Sequence, residues 1–443
     1  MKTEHLSFAN ELGGRTVPLS MFSSRQVAAI DLRRLDPSWD FRGAATKYAT
    51  HGIYHYPAMM VAPVVKRLIE DIIGGSKEKT LLDPFCGSGS ALVEAAIHGM
   101  PAIGIDTNPL AILLARVKTT PVAISDIQDE FHAIWERYGN MVETPPNTSL
   151  RNYDFWYSGS AARSLTRLGK TLATISDTSL RRFFQLCLAE TARYVSWTRQ
   201  SEFKVYRIPE EKRRLWHPRV PEVFSDVVSH NTKCMSEFLR VLPSGHLDVN
   251  VIEGDSRNPL VLAKKKYDVV VTSPPYGDSR TTVAYGQYSR LSLAWLGYDL
   301  NTINQIDRVS LGGRIETSSH GSVESSTLKR QLDEIKVKDA ERARHVFAFY
   351  NDLARSFRNV SSHLSPGGTA CIVVGNRTVK GVCLDTDVIL SEILTNECGL
   401  EHVDTLVRNI PNKSMPSKNS PTNVVGTTGK TMTHEYILVL KKP

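Results

Sequence analysis

The chain has 443 residues, 41% hydrophobic and 23% charged. A large apolar core is readily built from these, and disorder, collagen or coiled coil is excluded as a description of the whole. Fifty-four basic residues against 46 acidic ones leave a net charge of +8, an excess that suits a polyanionic partner and equally an ordinary basic protein. At roughly 150 residues per domain, the length allows about three domains or one large domain with an insertion.

No apolar run approaches the ~18 residues of a membrane span. Residues 1–10 are polar and lack the apolar stretch of a signal peptide. A cytoplasmic protein with no membrane partner is therefore expected. The cysteines, at positions 86, 187, 234, 371, 383 and 398, form no CxxC pair. Neither a zinc knuckle nor a disulfide framework is indicated, and reduced thiols are expected.

Residues 1–45 read as an irregular arm with one short helical stretch. Residues 48–57 (YATHGIYHYP) are rich in aromatics and histidine. A helix should follow, because Val61, Val64, Val65, Leu68, Ile69 and Ile72 recur at helical spacing and Gly74-Gly75 ends the run. Next come a short strand (80–83), a Gly-rich turn, a helix from Ser90 to about His98, and a strand (102–106) ending in Asp106. Strand, turn, helix, strand and acid make a βαβ unit of a nucleotide-binding α/β sheet.

The alternation then stops. Residues 117–247 read as largely helical, and this stretch of about 130 residues is too long for a loop. Strands resume at 249–253, followed by Gly254-Asp255, and at 267–272, followed by Ser273-Pro274-Pro275-Tyr276. A polar segment spans about 300–337. A long helix (338–364), a strand (369–374), a helix (387–397) and strands at 402–408 and 435–440 complete the chain. Seven strands result, in a mostly parallel sheet. The last two, separated by a loop with Pro411, Pro416 and Pro421, are expected to form an antiparallel pair at its edge.

Two motifs carry chemistry. In Asp83-Pro84-Phe85-Cys86-Gly87-Ser88-Gly89, the glycines let backbone approach a ligand closely, and the following helix offers free N–H groups. The spacing is neither GxGxxG nor a P-loop, which favours a nucleoside site over a phosphate cradle. Asp106 suits a ribose diol, since a carboxylate accepts two hydrogen bonds at once. In Thr272-Ser273-Pro274-Pro275-Tyr276, two prolines stiffen the backbone and leave their carbonyls free. A serine hydroxyl beside a rigid carbonyl can hold an exocyclic amino group, and a tyrosine gives a base a face to stack on. The bland readings are a tight turn in an unrelated α/β fold and a Pro-Pro turn that merely ends a strand.

With these residues the chain resembles the S-adenosylmethionine-dependent DNA methyltransferases that act on exocyclic amino groups. DPFCGSG resembles the cofactor-binding motif I and TSPPY the catalytic motif IV. Tyr54-His55-Tyr56-Pro57-Ala58 resembles motif X, over the methionine end of the cofactor. Gly254-Asp255-Ser256 resembles the turn that reaches the adenine. Asp106, Asn108 and Pro109 fall at the ribose position, and Thr272 leads into motif IV. The resemblance implies a class I methyltransferase: a Rossmann-like, seven-stranded, mostly parallel sheet with a helical insertion. It implies an arm (1–45), a cofactor half (46–116), the insertion (117–247) as a target-recognition candidate, and a catalytic half (248–443).

Serine in motif IV implies a cytosine-N4-specific, site-specific enzyme acting on a flipped base in double-stranded DNA, with S-adenosylmethionine as methyl donor and a restriction endonuclease as functional companion. Adenine N6 is the alternative. An RNA or protein-glutamine acceptor and an inactive DNA-binding relic stand behind it. Methylation at carbon 5 needs a cysteine nucleophile, and no Pro-Cys dipeptide occurs; Cys86 would sit by the cofactor.

The candidates for DNA contact are Arg199, Lys204, Arg207, Lys212, Arg213, Arg214 and Arg219, interleaved with Trp197, Phe203, Tyr206 and Trp216. The alternative is a solvated surface with a few core aromatics. The polar stretch 299–336 is a second recognition candidate. Tyr285-Gly286-Gln287-Tyr288 either closes over the base or begins a helix. Residues 152–157 read as core or hinge, and 183–188 as core. His51 and His55 lack partners at ligand spacing, so no metal is expected.

Overall fold

The computed structural model describes residues 32–74, 77–200, 204–245, 247–262, 266–278, 283–315, 323–410, 418–419, 429–430 and 432–443. Its strands are β1 (Arg33–Leu35), β2 (Leu81–Asp83), β3 (Ala102–Asp106), β4 (Val249–Glu253), β5 (Tyr267–Thr272) and β6 (Leu364–Val374). They continue as β7 (Arg377–Val379), β8 (Val382–Leu384), β9 (Glu401–Asn409), β10 (Lys418–Asn419), β11 (Gly429–Lys430) and β12 (His434–Lys441). Eight of them form one sheet in the order β1-β9-β12-β6-β5-β2-β3-β4; β7 with β8 and β10 with β11 are separate two-stranded pairs.

Both faces of the sheet are covered, and the strands alternate between them. Leu81, Val269, Val271, Cys371, Val373, Leu406 and Ile437 face one apolar layer, with Val64, Val65, Leu68 and Leu92. Leu82, Val270, Ile372, Val374, Val407 and Leu438 face the other, with the helix Ala340–His363. Each fully buried Val, Leu or Ile adds ~1.5–3 kcal/mol. This two-sided burial explains why β5 reads as a continuous apolar run rather than an alternating one.

Two features depart from the expectation. The reversed strand is interior: β12 runs antiparallel to both β6 and β9. Residues 33–35, expected within an irregular arm, supply an eighth strand, parallel to β9. Arg33 holds it in place, donating to Asp387 Oδ2 over 2.7 Å and to Oδ1 over 2.8 Å. Residues 1–31 of the arm, Phe203 and the loop with Pro411, Pro416 and Pro421 lie outside the described residues.

The first helix starts at Ala62 with Pro63 in its first turn, passes into π-helical geometry over Leu68–Ile73, and is capped by Gly74 at φ +76°. The insertion is helical, as expected. Its helices Ile124–Asn140, Gly159–Ala173, Thr178–Tyr194 and Val220–Val241 share one apolar cluster with the helices Pro109–Thr119 and Tyr285–Trp295. Phe183 to Leu188 are buried there. The polar segment carries two helices, Leu300–Val309 and Ser326–Lys338, each N-capped by its own Asp299 or Ser325. Among the described residues no helix is long and apolar enough to cross a membrane.

Candidate active site

From β2 the chain moves outward to β3 and β4, then returns to place β5 on the other side of β2. That reversal opens a crevice beyond the carboxyl ends of β2 and β5. The Asp83–Gly89 loop leaves β2 and the Ser273–Tyr276 loop leaves β5, so strand order alone makes two distant motifs neighbours. A cleft of about 880 Å³, its open mouth included, lies between them.

Its wall contains Tyr56, Pro57, Asp83, Pro84, Phe85, Cys86, Gly87, Ser88, Asp106, Asn108, Gly254, Asp255, Ser256, Ser273 and Pro275. The structure thus brings together most of the residues singled out by sequence. Tyr54, His55, Gly89, Pro109, Thr272, Pro274 and Tyr276 are not part of that wall. Tyr54 is buried behind it, with its hydroxyl 3.0 Å from Ser292 Oγ. The His55 side chain is exposed, and its carbonyl accepts from the Tyr288 hydroxyl.

The first loop is shaped by its glycines. Gly87 and Gly89 have φ of +47° and +79°. Gly89 also packs on the next helix: a Cβ there would meet Ala115 Cβ at 3.0 Å and Cα at 3.1 Å. At Gly87 a Cβ would meet only Tyr56 Cε1, at 3.8 Å, so this glycine keeps the cleft floor open. The Asp106 carboxylate accepts from Gly87 N over 2.9 Å and from Asn108 N over 2.8 Å. Burial pushes its pKa up to about 6, against the pull of these bonds. Asp83 is buried, and its pKa is pushed up to about 7 by burial, although Thr272 Oγ1 donates to it over 2.6 Å. Burial pushes the Cys86 thiol well up, so it is a poor nucleophile.

The turn after β4 is clamped. Arg257 Nε donates to both Asp255 oxygens over 3.0 Å, and its Nη1 lies 2.6 Å from Asp352 Oδ2. Asn359 Nδ2 donates to the Ser256 carbonyl over 2.8 Å. The long helix therefore fixes the turn in register with the cleft.

Across the cleft, the Tyr56 ring stacks on Tyr285 with centroids 5.8 Å apart and planes 21° apart. Asn108 Nδ2 donates to the Tyr56 hydroxyl over 3.0 Å and to Ser289 Oγ over 2.9 Å. Tyr285 begins a helix, one of the two readings of residues 285–288, and also lines the cleft. In the second loop the Ser273 hydroxyl donates to the Tyr276 hydroxyl over 3.2 Å, which donates to Glu435 Oε1 over 3.2 Å.

Sequence reasoning missed Met59, Met60, Arg257, Ile306, Val309, Ser310 and Leu311, which also line the cleft. Ile306 and Leu311 sat in a segment read as polar, where only a helical period of apolar residues could have marked them. His51 is a structural partner of buried Glu94, Nε2 to Oε1 over 2.8 Å.

The basic candidates form an exposed excursion. Thr198 and Arg207 bridge as in a small antiparallel hairpin. The Arg207 guanidinium lies 4.0 Å from the Phe155 ring centroid and 5.3 Å from that of Trp197, which Arg213 also faces at 5.3 Å. Lys204, Lys212, Arg214 and the Arg219 side chain reach solvent, and Arg199 lies 5.8 Å from the Tyr206 ring centroid. Arg214 pairs with Glu210 over 2.7 Å and Arg219 with Glu222 over 2.6 Å.

Residues 67–128 match a family model described as an RMKL-like methyltransferase domain. The chain is 38% identical over 424 residues to the type II methyltransferase M.MvaI of Kocuria varians, covering 90% of this chain and 93% of that one. It is 24% identical over 309 residues to the type II methyltransferase M.BsoBI of Geobacillus stearothermophilus, covering 61% and 57%. Among solved structures, the rRNA methyltransferase aviRa of Streptomyces viridochromogenes aligns with a TM-score of 0.32 at 13% identity, over 91% of this chain and 92% of that one.

Proposed function

Because the chain belongs to the type II methyltransferases, which methylate DNA with S-adenosylmethionine, we propose that its acceptor is the exocyclic N4 of a cytosine. The observation that carries this reading is the Ser273 hydroxyl in the wall of the same cleft as Asp106 and Gly87. A neutral hydroxyl stands where an adenine-directed site has an amide or carboxylate. The buried Cys86 thiol, its pKa well raised, also argues against attack on the ring at carbon 5.

In this reading Asp106 accepts from the ribose diol, and Gly87 and Ser88 pass under the nucleoside. Tyr56 and Pro57 pack against the methionine end, and Gly254 to Ser256 border the adenine. When bound, S-adenosylmethionine supplies a methyl group on a cationic sulfur, whose bonding electrons stay with sulfur on transfer. The base leaves the duplex to reach the cleft. The Pro274 carbonyl and Ser273 hydroxyl accept from N4 and turn its lone pair toward the methyl group, while Tyr276 supplies the ring on which the base stacks. Rate acceleration comes mainly from positioning. The excursion around Arg207 and Arg213 contacts DNA, and a restriction endonuclease reads the same sequence. Nucleoside mass spectrometry of treated DNA tests the acceptor.

A further inference from the structure

Methylation leaves N4 with one proton too many, and a serine hydroxyl is too weak a base to keep it. The structure provides a route away from Ser273. Its hydroxyl donates to the Tyr276 hydroxyl over 3.2 Å, and the latter donates to Glu435 Oε1 over 3.2 Å. Both bonds point the same way, outward from the cleft. Both are longer than the ~2.5–3.0 Å usual for hydroxyl donors, and catalytic bonds of this kind tighten once substrate is held.

The far end of this chain is built with care. Glu435 is the second residue of β12, and its other oxygen, Oε2, accepts from Arg408 Nη1 over 2.8 Å. Arg408 and Glu435 face each other across the β9–β12 pairing. Arg408 is buried, and its Nη2 reaches the Asp40 carbonyl at 3.4 Å. The Asp40 carboxylate, also buried, accepts from Asn409 N over 2.7 Å. The N-terminal segment, β9 and β12 thus converge on one carboxylate, whose side chain keeps 16% of its surface exposed.

We propose that Glu435 is the terminal proton acceptor of the methyl transfer, reached from N4 through Ser273 and Tyr276. The inference rests on the placement of the reacting amino group at Ser273. The N4 lone pair forms the new N–C bond. The cationic amino group then gives a proton to Ser273 Oγ, the Ser273 proton passes to the Tyr276 oxygen, and the Tyr276 proton passes to Glu435. Ser273 and Tyr276 end neutral, the amino group ends neutral, and Glu435 ends protonated. Its exposed edge returns the proton to water.

The groups facing Glu435 are Arg408 from β9 and Tyr276 from the catalytic loop; Tyr285 acts on Tyr276 in turn. Burial raises the Glu435 pKa more than Arg408 lowers it. The carboxylate is therefore a better proton acceptor than an exposed glutamate.

The test is the single-turnover rate of methyl transfer to unmethylated plasmid DNA from pH 5 to 9, with S-adenosylmethionine saturating at each pH so that the Asp106 dependence of cofactor binding drops out, for wild type, Glu435→Gln and Tyr276→Phe. Relay through Glu435 predicts a wild-type rate that falls toward acid as Glu435 protonates. Glu435→Gln keeps an acceptor for Tyr276 but cannot take the proton; it loses that acid limb and slows by about 10²–10⁴. Tyr276→Phe cuts the route midway, keeps the ring, and reports even where the Glu435 variant fails to fold; it loses the same limb. The double variant is no slower than either single one. An intact acid limb and rate in Tyr276→Phe or Glu435→Gln overturns the relay. The methylated nucleoside made by wild type is read in parallel, so a wrong acceptor base shows separately from a wrong proton route.

Discussion

The Thr272 hydroxyl donates to the Asp83 carboxylate across 2.6 Å, joining residues 189 positions apart in the chain. Thr272 ends β5 and Asp83 ends β2, so this one bond ties the catalytic loop to the loop shaped by Gly87 and Gly89. Thr272→Val leaves Asp83 Oδ1 with only the Phe85 N–H, at 3.2 Å. The variant is expected to lose about 1–3 kcal/mol of stability, the cost of an under-satisfied buried acceptor. It should weaken S-adenosylmethionine binding and slow turnover together. Thermal melting and calorimetric titration check this, and a change in turnover alone would separate the two loops.

Gly89→Ala tests the close approach of the loop to the helix Pro109–Thr119. The new methyl meets Ala115 at 3.0 Å, on a backbone at φ +79°. Neither the clash nor the left-handed backbone relaxes without moving the start of the helix Ser90–Ile97. A loss of about 1–3 kcal/mol is expected, with cofactor affinity down at least about tenfold, or ~1.4 kcal/mol. Gly87→Ala, with nothing nearer than 3.8 Å, should cost only about 1 kcal/mol for its positive φ. Melting of the two variants side by side gives the ranking.

Cofactor binding should depend on pH through Asp106. Its pKa is raised to about 6, so the proton goes on as the pH falls through that value. A protonated carboxyl offers fewer acceptors to the ribose diol. Affinity is therefore full well above pH 6 and weakens below it, approaching about tenfold per unit where binding requires the ionised form. Asp106→Asn should bind more weakly at pH 8 and show little pH dependence through this range. Titrations at pH 5, 6, 7 and 8 check both slope and sign.

The excursion around Trp197 is expected to neutralise phosphates. Arg207→Ala and Arg213→Ala should each weaken binding to any duplex, whatever its sequence. Each should also make the slope of log K against log salt shallower by about one, because one fewer phosphate is neutralised and fewer counterions are released. Cofactor affinity should be unchanged. Fluorescence anisotropy at several salt concentrations measures the slope, and an unchanged slope would move the DNA surface elsewhere.

The sheet and the cleft were legible to different degrees. Alternation of short apolar runs with helices gave β2 to β6, because each strand is buried on both faces and each loop carries its own turn residues. Asp83 to Gly89 and Ser273 to Tyr276 were legible because their chemistry is local. The interior position of β12 was not, since its pairing with β6 and β9 leaves no mark in either strand's own sequence. β1 was hidden for a related reason: Arg-Arg-Leu makes a poor strand until Asp387 receives Arg33. The Glu435–Arg408–Asp40 contacts span up to 368 positions, and only the folded sheet brings them to the catalytic loop. Tyr54 lies behind the wall that its neighbours Tyr56 and Pro57 line, a difference between adjacent residues that only the folded chain shows.

The most direct measurement is nucleoside mass spectrometry on unmethylated plasmid DNA incubated with the protein and S-adenosylmethionine, beside Ser273→Ala. The account predicts N4-methylcytosine from wild type and little or none from Ser273→Ala, with cofactor affinity kept. N6-methyladenine as the product, or undiminished N4-methylcytosine from Ser273→Ala, would contradict it.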